Sequence, residues 1–194
     1  MRTTPLSENC HNNLQRRDHV CFGISPFNSY FSEERIFKLA QWGRGHFRSM
    51  HFFMPDIPSA YTLEALGYTA EKAAWKARRQ CQYLQNKIQR ALASAGFSDA
   101  EARSMVLNWE TLSINAQYVA LYSEVQKCFE NDPTFQSDCV EASRWVLERR
   151  VSDETVLTHE MLRSAARYLL TEVPLFLDSA AIVGKETSVF CYHQ

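Results

Sequence analysis

His19-Val20-Cys21-Phe22-Gly23-Ile24-Ser25 is a short apolar run that ends in Pro26-Phe27-Asn28-Ser29, a cluster of turn residues. An unbroken apolar run of this length suits a strand buried on both faces, as parallel strands covered by helices are. Ser25 then stands at the carboxyl end of that strand. Downstream, Ser32 followed by Glu33 and Glu34 reads as the capped, acid-biased first turn of a helix, with Gly43 at its end. A second run, Ser49-Met-His-Phe-Phe-Met-Pro55, is again strand-like and is stopped by Pro55. Strand, short helix and strand in this order require a right-handed crossover, and hence parallel pairing. The class is α/β, a parallel sheet flanked by helices.

Working outward, Thr69 can cap a long helix to about Ala95, and 116–130, 134–149 and 157–172 read as three more helices. Val106–Trp109 is a third strand and Thr187–His193 a last one. Residues 1–18 are polar and read as a flexible N-terminal segment of one domain covering 1–194. Ligands of open parallel sheets bind beyond the carboxyl ends of the strands. That rule brings Ser25, Tyr192 and His193 toward one pocket.

The 194 residues are 45% hydrophobic and 22% charged, enough for one globular core. Six glycines are too few and too scattered for a G-x-G-x-x-G or a Walker A loop, so no glycine-built phosphate cradle is present. The six cysteines form no C-x-x-C pair and sit in apolar or helical runs, which indicates reduced thiols and a cytoplasmic protein. The six histidines show no H-x-x-x-H spacing, so no metal site is expected. No apolar run approaches the roughly 20 residues of a membrane span.

The formal net charge of −1 hides a segregation. Residues 69–95 hold six basic residues, Lys72, Lys76, Arg78, Arg79, Lys87 and Arg90, against one acid, Glu71, a net of +5. The remaining 15 basic and 21 acidic residues give −6. Five of the six bases share one helix face with Tyr83, while Ala73, Ala77, Cys81, Leu84, Ile88 and Ala91 form the opposite stripe. A solvated face is the ordinary reading of such a run. A helix shaped only for solubility mixes signs, however, because like charges four apart destabilise it. The face therefore points to a polyanion.

Tyr168 and Glu172 are one turn apart amid Leu169, Leu170, Val173, Leu175 and Phe176. A carboxylate in such surroundings either pairs with a cation or titrates high. Read alone, the two are also consistent with a surface pair near a helix end. Ser25 is not a nucleophile elbow, which needs glycine where Phe27 stands, and no His–Asp partners can be assigned to it by spacing.

Taken together, three segments resemble the tRNA-dependent cyclodipeptide synthases. Gly23-Ile-Ser25-Pro-Phe-Asn28-Ser-Tyr-Phe-Ser32 is similar to that family's nucleophile motif. Tyr168-Leu-Leu-Thr-Glu172-Val-Pro-Leu175-Phe176 is similar to its second motif, and Ser188-Val-Phe-Cys-Tyr192-His193 to its third. Order and spacing match along essentially the whole chain. The resemblance implies a Rossmann-like domain similar to the catalytic domain of class Ic aminoacyl-tRNA synthetases. The synthetases' ATP motifs, of the HIGH and KMSKS type, are absent, in keeping with a family that uses no ATP. Asn28 with Tyr192 resembles the asparagine–tyrosine–glutamine side of the family, with His193 where glutamine is typical.

The resemblance also implies a chemistry. Two aminoacyl-tRNAs are joined into a 2,5-diketopiperazine by a ping-pong route through an aminoacyl ester on Ser25. Glu172 and Tyr168 hold the first α-amino group, and Tyr168 carries a proton in cyclisation. Asn28 and Tyr192 position the acyl-serine, and Tyr118 matches a further active-site tyrosine. Cys21, Gly23, Phe53, Leu175, Phe190 and His193, with Trp109, fall where the family lines its first side-chain pocket, and their apolar character implies an apolar first amino acid. The basic helix matches the family's tRNA-binding helix. A monomer without cofactor, metal or membrane contact is implied. The rival readings are a non-catalytic tRNA-binding module on the same fold, which does not need Ser25, Tyr168 and Glu172 together, and a serine hydrolase.

Overall fold

A computed structural model describes residues 3–152 and 155–192. Four parallel strands, β1 (His19–Gly23), β2 (Ser49–Phe53), β3 (Val106–Leu107) and β4 (Val189–Cys191), form one sheet in the order β3-β2-β1-β4. All five residues of β1 are buried, as the unbroken apolar run requires. The Ile24 amide still donates to the Phe53 carbonyl at 2.8 Å, so pairing persists one residue beyond β1 before Pro26 intervenes.

Helices cover both faces. Among the described residues they are α1 (Glu8–Arg16), α2 (Glu33–His46), α3 (Ser59–Ala65), α4 (Ala70–Ser94), α5 (Asp99–Ser104), α6 (Trp109–Leu112), α7 (Ala116–Asn131), α8 (Pro133–Glu148) and α9 (His159–Val183). Val20, Phe22, Met50 and Phe52 pack with Ile36 and Leu39 of α2 and Leu84 and Ile88 of α4. Cys21 and Phe53 point the other way, to Tyr118 of α7 and Leu175 and Ile182 of α9. The two-residue period of a strand thus sorts one sequence into two cores. A third cluster joins α3, α7, α8 and α9 through Ala65, Val125, Phe129, Val140, Leu147 and Leu162.

Several boundaries differ from expectation. Gly43 lies inside α2 rather than at its end: a Cβ there would stand 2.6 Å from Met50 Sδ and 3.1 Å from the Phe22 ring, so the glycine admits the sheet. The third strand stops at Leu107, because the Asn108 side chain accepts the Thr111 amide at 3.0 Å and opens α6. The helix expected over 157–172 continues through Pro174 to Val183, sustained by burial of Leu170, Leu175, Ser179 and Ile182, and its backbone breaks only at Asp178. The last strand is confined to Val189–Cys191, since the Thr187 amide donates to Asp18 Oδ2 at 3.2 Å instead of to a ladder. Residues 1–18, expected as a flexible segment, contain α1, capped by Ser7, with Leu14 packed on the sheet core. Thr69 caps α4 as anticipated.

The amino end of the sheet is closed by a hydrogen-bond chain. Ser179 Oγ donates to Ser188 Oγ at 2.8 Å, His19 Nδ1 lies 2.7 Å from Ser188 Oγ, and His19 Nε2 lies 2.8 Å from His51 Nδ1. Burial, then the neighbouring His51 and Lys185, outweigh the pull of Asp18 and bring His19 down to about 3. Burial and Lys185 lower His51 as well. An unfolded histidine titrates near 6.5, so below that pH the unfolded chain binds the extra proton. Stability is then complete above about pH 6.5 and falls as pH drops toward 3, by at most about 1.4 kcal/mol per pH unit for His19. Urea unfolding at pH 7, 6 and 5 should show this slope. His19→Gln should lower stability at pH 7 and flatten the acid limb; an unchanged limb would contradict the account.

Candidate active site

The turn after β1 places Ser25 over the carboxyl end of the sheet. Phe27 holds φ at +60°, a conformation that non-glycine residues seldom adopt. Its ring is retained against Ala60, Leu63, Ala73 and Ala77, together with Tyr68. Asn28 Oδ1 accepts the Tyr30 amide at 3.0 Å and the Asn28 carbonyl accepts the Phe31 amide at 3.3 Å, which fixes the exit of the turn. The Ser25 hydroxyl makes a long, 3.4 Å contact with the Pro26 carbonyl and lies near the Tyr168 hydroxyl.

Tyr168 and Glu172 extend from consecutive turns of α9 toward this serine. The Tyr168 hydroxyl is buried and has no hydrogen-bond partner among the described residues. Burial first, then the Glu172 charge, raise its ionisation well above the ordinary 10, while the nearby Ser25 hydroxyl pulls it down. An orphaned buried hydroxyl destabilises a fold by about 1–3 kcal/mol, so it marks a place where an incoming group completes the bonding. Glu172 is 5% exposed and meets no cation among the described residues. Of the two outcomes open to it from sequence, it takes the second. Burial raises it to about 7, with Tyr168 a smaller opposing influence.

Tyr118, expected among the catalytic groups, is fully buried and donates its hydroxyl to the Thr171 carbonyl at 2.9 Å. It stacks on Tyr122, with ring centroids 5.8 Å apart and 15° between planes, and meets the edge of Trp109. That hydrogen bond ties α7 to α9 at the residue before Glu172. Tyr192, just past β4, is exposed, with the Phe176 ring edge-on at 6.2 Å. Burial of its hydroxyl and the Glu172 charge raise its ionisation. Tyr192 also borders a cavity of about 580 Å³ on the α2 side, with Gly23, Tyr30, Arg35 and Trp42.

Most of the residues expected from sequence to line the first side-chain pocket come together as a packed apolar cluster. Cys21, Phe53 and Leu175 are buried in one cluster with Tyr118, and Trp109 and Phe190 pack against it. Phe190 meets Phe53 at 6.2 Å and Phe176 at 5.0 Å between centroids. Gly23 is required for this approach, since a Cβ would stand 3.0 Å from the Phe190 ring and 3.4 Å from that of Tyr192. Burial pushes the Cys21 thiol up, so the lining is uncharged. His193 lies outside the described residues.

On α4, Lys72, Arg78, Arg79 and Arg90 are exposed and Lys76 and Lys87 half-buried. Arg90 pairs with Glu33 of α2 at 2.7 Å, an exposed contact that holds it only weakly. Lys72 and Lys76 lie over the Tyr68 ring, and Arg79 over both Trp75 and Tyr83. Sequence reasoning named Tyr83 but passed over Trp75 and Tyr68, and over Tyr122 in the pocket wall. Aromatics at four-residue spacing among the cations were the available signal. No group of three or more possible metal ligands occurs among the described residues, and no described helix is long and apolar enough to cross a membrane.

A family model described as Cyclodipeptide synthase matches residues 1–194. The Cyclo(L-leucyl-L-leucyl) synthase of Bacillus subtilis (strain 168) is 33% identical over 193 residues, covering 97% of this chain and 76% of the relative. The crystal structure of a cyclodipeptide synthase from Bacillus thermoamylovorans superposes with a TM-score of 0.90 at 31% identity, over 98% of this chain and 83% of that one. A Mycobacterium tuberculosis structure, described as showing that cyclodipeptide synthetases are related to type I tRNA synthetases, gives a TM-score of 0.84 at 29% identity, over 98% and 79%.

The close approach at Gly23 is testable. Gly23→Ala should displace the Phe190 and Tyr192 rings and lower unfolding stability by roughly 1–3 kcal/mol, measured by urea denaturation. A change below about 0.3 kcal/mol would show that the rings move aside freely.

Proposed function

The chain belongs to the cyclodipeptide synthase family of enzymes, which form cyclic dipeptides, and we propose that it does so from two aminoacyl-tRNAs through an aminoacyl ester on Ser25. The observation that carries this reading is the buried, unpartnered Tyr168 hydroxyl beside Ser25 and Glu172. A non-catalytic RNA-binding module has no use for such an arrangement. An aminoacyl ester is already activated, so amide formation from it runs downhill without a nucleotide.

The first step is attack of Ser25 Oγ on the ester carbonyl. The Oγ–C bond forms, the bond to the ribose oxygen of tRNA breaks, and the serine proton passes to that oxygen. Glu172 as carboxylate and Tyr168 as hydroxyl then hold the α-ammonium of the acyl group, a charge-assisted contact that orients it. In the second step the amine of another aminoacyl-tRNA attacks the acyl-serine: a C–N bond forms, the Ser25 Oγ–C bond breaks, and the amine's proton passes to the freed Ser25 Oγ. In the third, the first residue's amine attacks the remaining ester and releases the second tRNA. A free α-amine titrates near 7.7–8.0, so a modest pull suffices to deprotonate it. Tyr168, kept protonated by burial and the Glu172 charge, can accept that proton while passing its own to the leaving oxygen. Asn28 and Tyr192 flank the acyl-serine, and Tyr118 acts by positioning α9.

Cys21, Phe53, Leu175, Phe190 and Trp109 offer the first side chain an uncharged wall, which supports an apolar first amino acid. The cations of α4 bind tRNA through phosphates, so amino-acid choice rests with the pocket. A cytoplasmic monomer is the form that these substrates call for.

Incubation with charged tRNAs, followed by mass spectrometry, should reveal an aminoacyl adduct and a diketopiperazine. Ser25→Ala should abolish the adduct and lower product by on the order of a thousand-fold or more; full output from Ser25→Ala would end the covalent mechanism. Glu172 is raised to about 7, so the carboxylate needed for the ammonium is lost as pH falls through that value. In the wild type, kcat/KM should rise with pH through about 7. Glu172→Gln should be roughly a hundred-fold slower and lack this limb.

A further inference from the structure

We propose that Trp75, Arg79 and Tyr83 of α4 form a stacking platform for unpaired nucleobases at the 3′ end of the RNA substrate, with Arg79 stacking and the other cations of α4 binding phosphates. The three residues lie one turn apart on successive turns, spanning about 12 Å. Trp75 and Tyr83 are 55% and 52% exposed, while the core stripe of the same helix is supplied by Ala73, Ala77, Cys81, Leu84, Ile88 and Ala91. The two aromatics therefore add little to the fold. The Arg79 guanidinium lies 5.3 Å from the Trp75 ring centroid and 5.8 Å from that of Tyr83, with Nη2 3.4 Å from Tyr83 Oη. Planar groups alternating with a planar cation suit the flat faces of bases, which stack on aromatics and on guanidinium alike.

The location supports the same ligand. Lys72 and Lys76 continue this face and lie 5.4 and 4.9 Å from the Tyr68 ring centroid. Tyr68 packs with Phe27 on the Ala60, Leu63, Ala73 and Ala77 cluster. The amino-terminal end of this face thus reaches, through Tyr68, the turn that carries Ser25. An RNA bound along α4 with its 3′ end toward that turn would pass over the platform. With Glu71 as the one acidic residue of α4, the surface favours a polyanion over a protein partner.

The proposal rests on the reading of α4 as the RNA-binding helix, and the experiment separates the two. Uncharged tRNA, intact or trimmed of its unpaired 3′ nucleotides, is titrated into the enzyme at several salt concentrations, with tryptophan emission as the readout. Intact tRNA should quench the emission that Trp75→Phe removes. Trp75→Ala and Tyr83→Ala should each weaken binding by about 5- to 150-fold without changing the slope of log affinity against log salt. Trp75→Phe should bind nearly as the wild type. Trimming should weaken the wild type but not Trp75→Ala. The double reversal Lys87→Glu with Arg90→Glu should weaken binding and flatten the slope. Wild-type binding by Trp75→Ala, with loss in the charge reversal, would overturn the platform and leave the basic helix standing. Wild-type binding by both would overturn the RNA-binding reading itself.

Discussion

The burial of β1 on both faces and its pairing on both edges constrain everything else in the molecule. Val20 and Phe22 supply the α2–α4 core, Cys21 the cluster beneath α7 and α9, and the chain beyond Ile24 becomes the turn that carries Ser25. A shift of one residue in register would exchange these faces, placing Phe22 in the pocket and Cys21 in the core. Gly43 in α2 and Gly23 in β1 guard the arrangement from opposite sides. One lets a helix approach the sheet and the other lets Phe190 and Tyr192 close over the strand end.

The same burial sets the electrostatics. Glu172 and Tyr168 stand in a desolvated region with no compensating cation among the described residues, so neither is at ease in its charged form. That state destabilises the empty protein, and an ammonium ion relieves it. The proposed chemistry uses this: the carboxylate and the phenol suit a cationic amine, and the cluster of Cys21, Phe53 and Leu175 suits an apolar side chain. The basic face of α4 is a separate surface, exposed and screened by salt, suited to holding a large polyanion rather than to choosing what it carries.

Much of this was legible in residue order. The apolar runs at 19–25 and 49–55, the Ser32 and Thr69 caps, and the stripe of α4 are short-range signals, and the elements they predict are present. Ser25, Tyr168 and Glu172 were named by motif, and the fold sets Tyr168 near both of the others. What escaped depended on tertiary contact. Gly43 reads as a helix end because its reason for being there is Met50 and Phe22, which no local pattern reveals. The helix read over 157–172 runs on through Pro174, because the apolar face of α9 keeps it going. The bond from Tyr118 to the Thr171 carbonyl, 53 residues away in the chain, has no local signature. The Ser98–Glu101 capping box of α5, by contrast, is a local signal.

The pairing of Val20 with Val189 joins segments from opposite ends of the chain. β4 is tied to α9 as well as to β1, because Ser179 of α9 and Ser188 just before β4 share the hydrogen-bond chain that reaches His19. Phe190 and Tyr192, which close the pocket wall, arrive with it. During synthesis the early strands, the basic helix and the serine turn are therefore made well before the site is whole. The sheet is therefore closed by contacts between the two ends of the chain, and such long-range pairing is the slow part of folding.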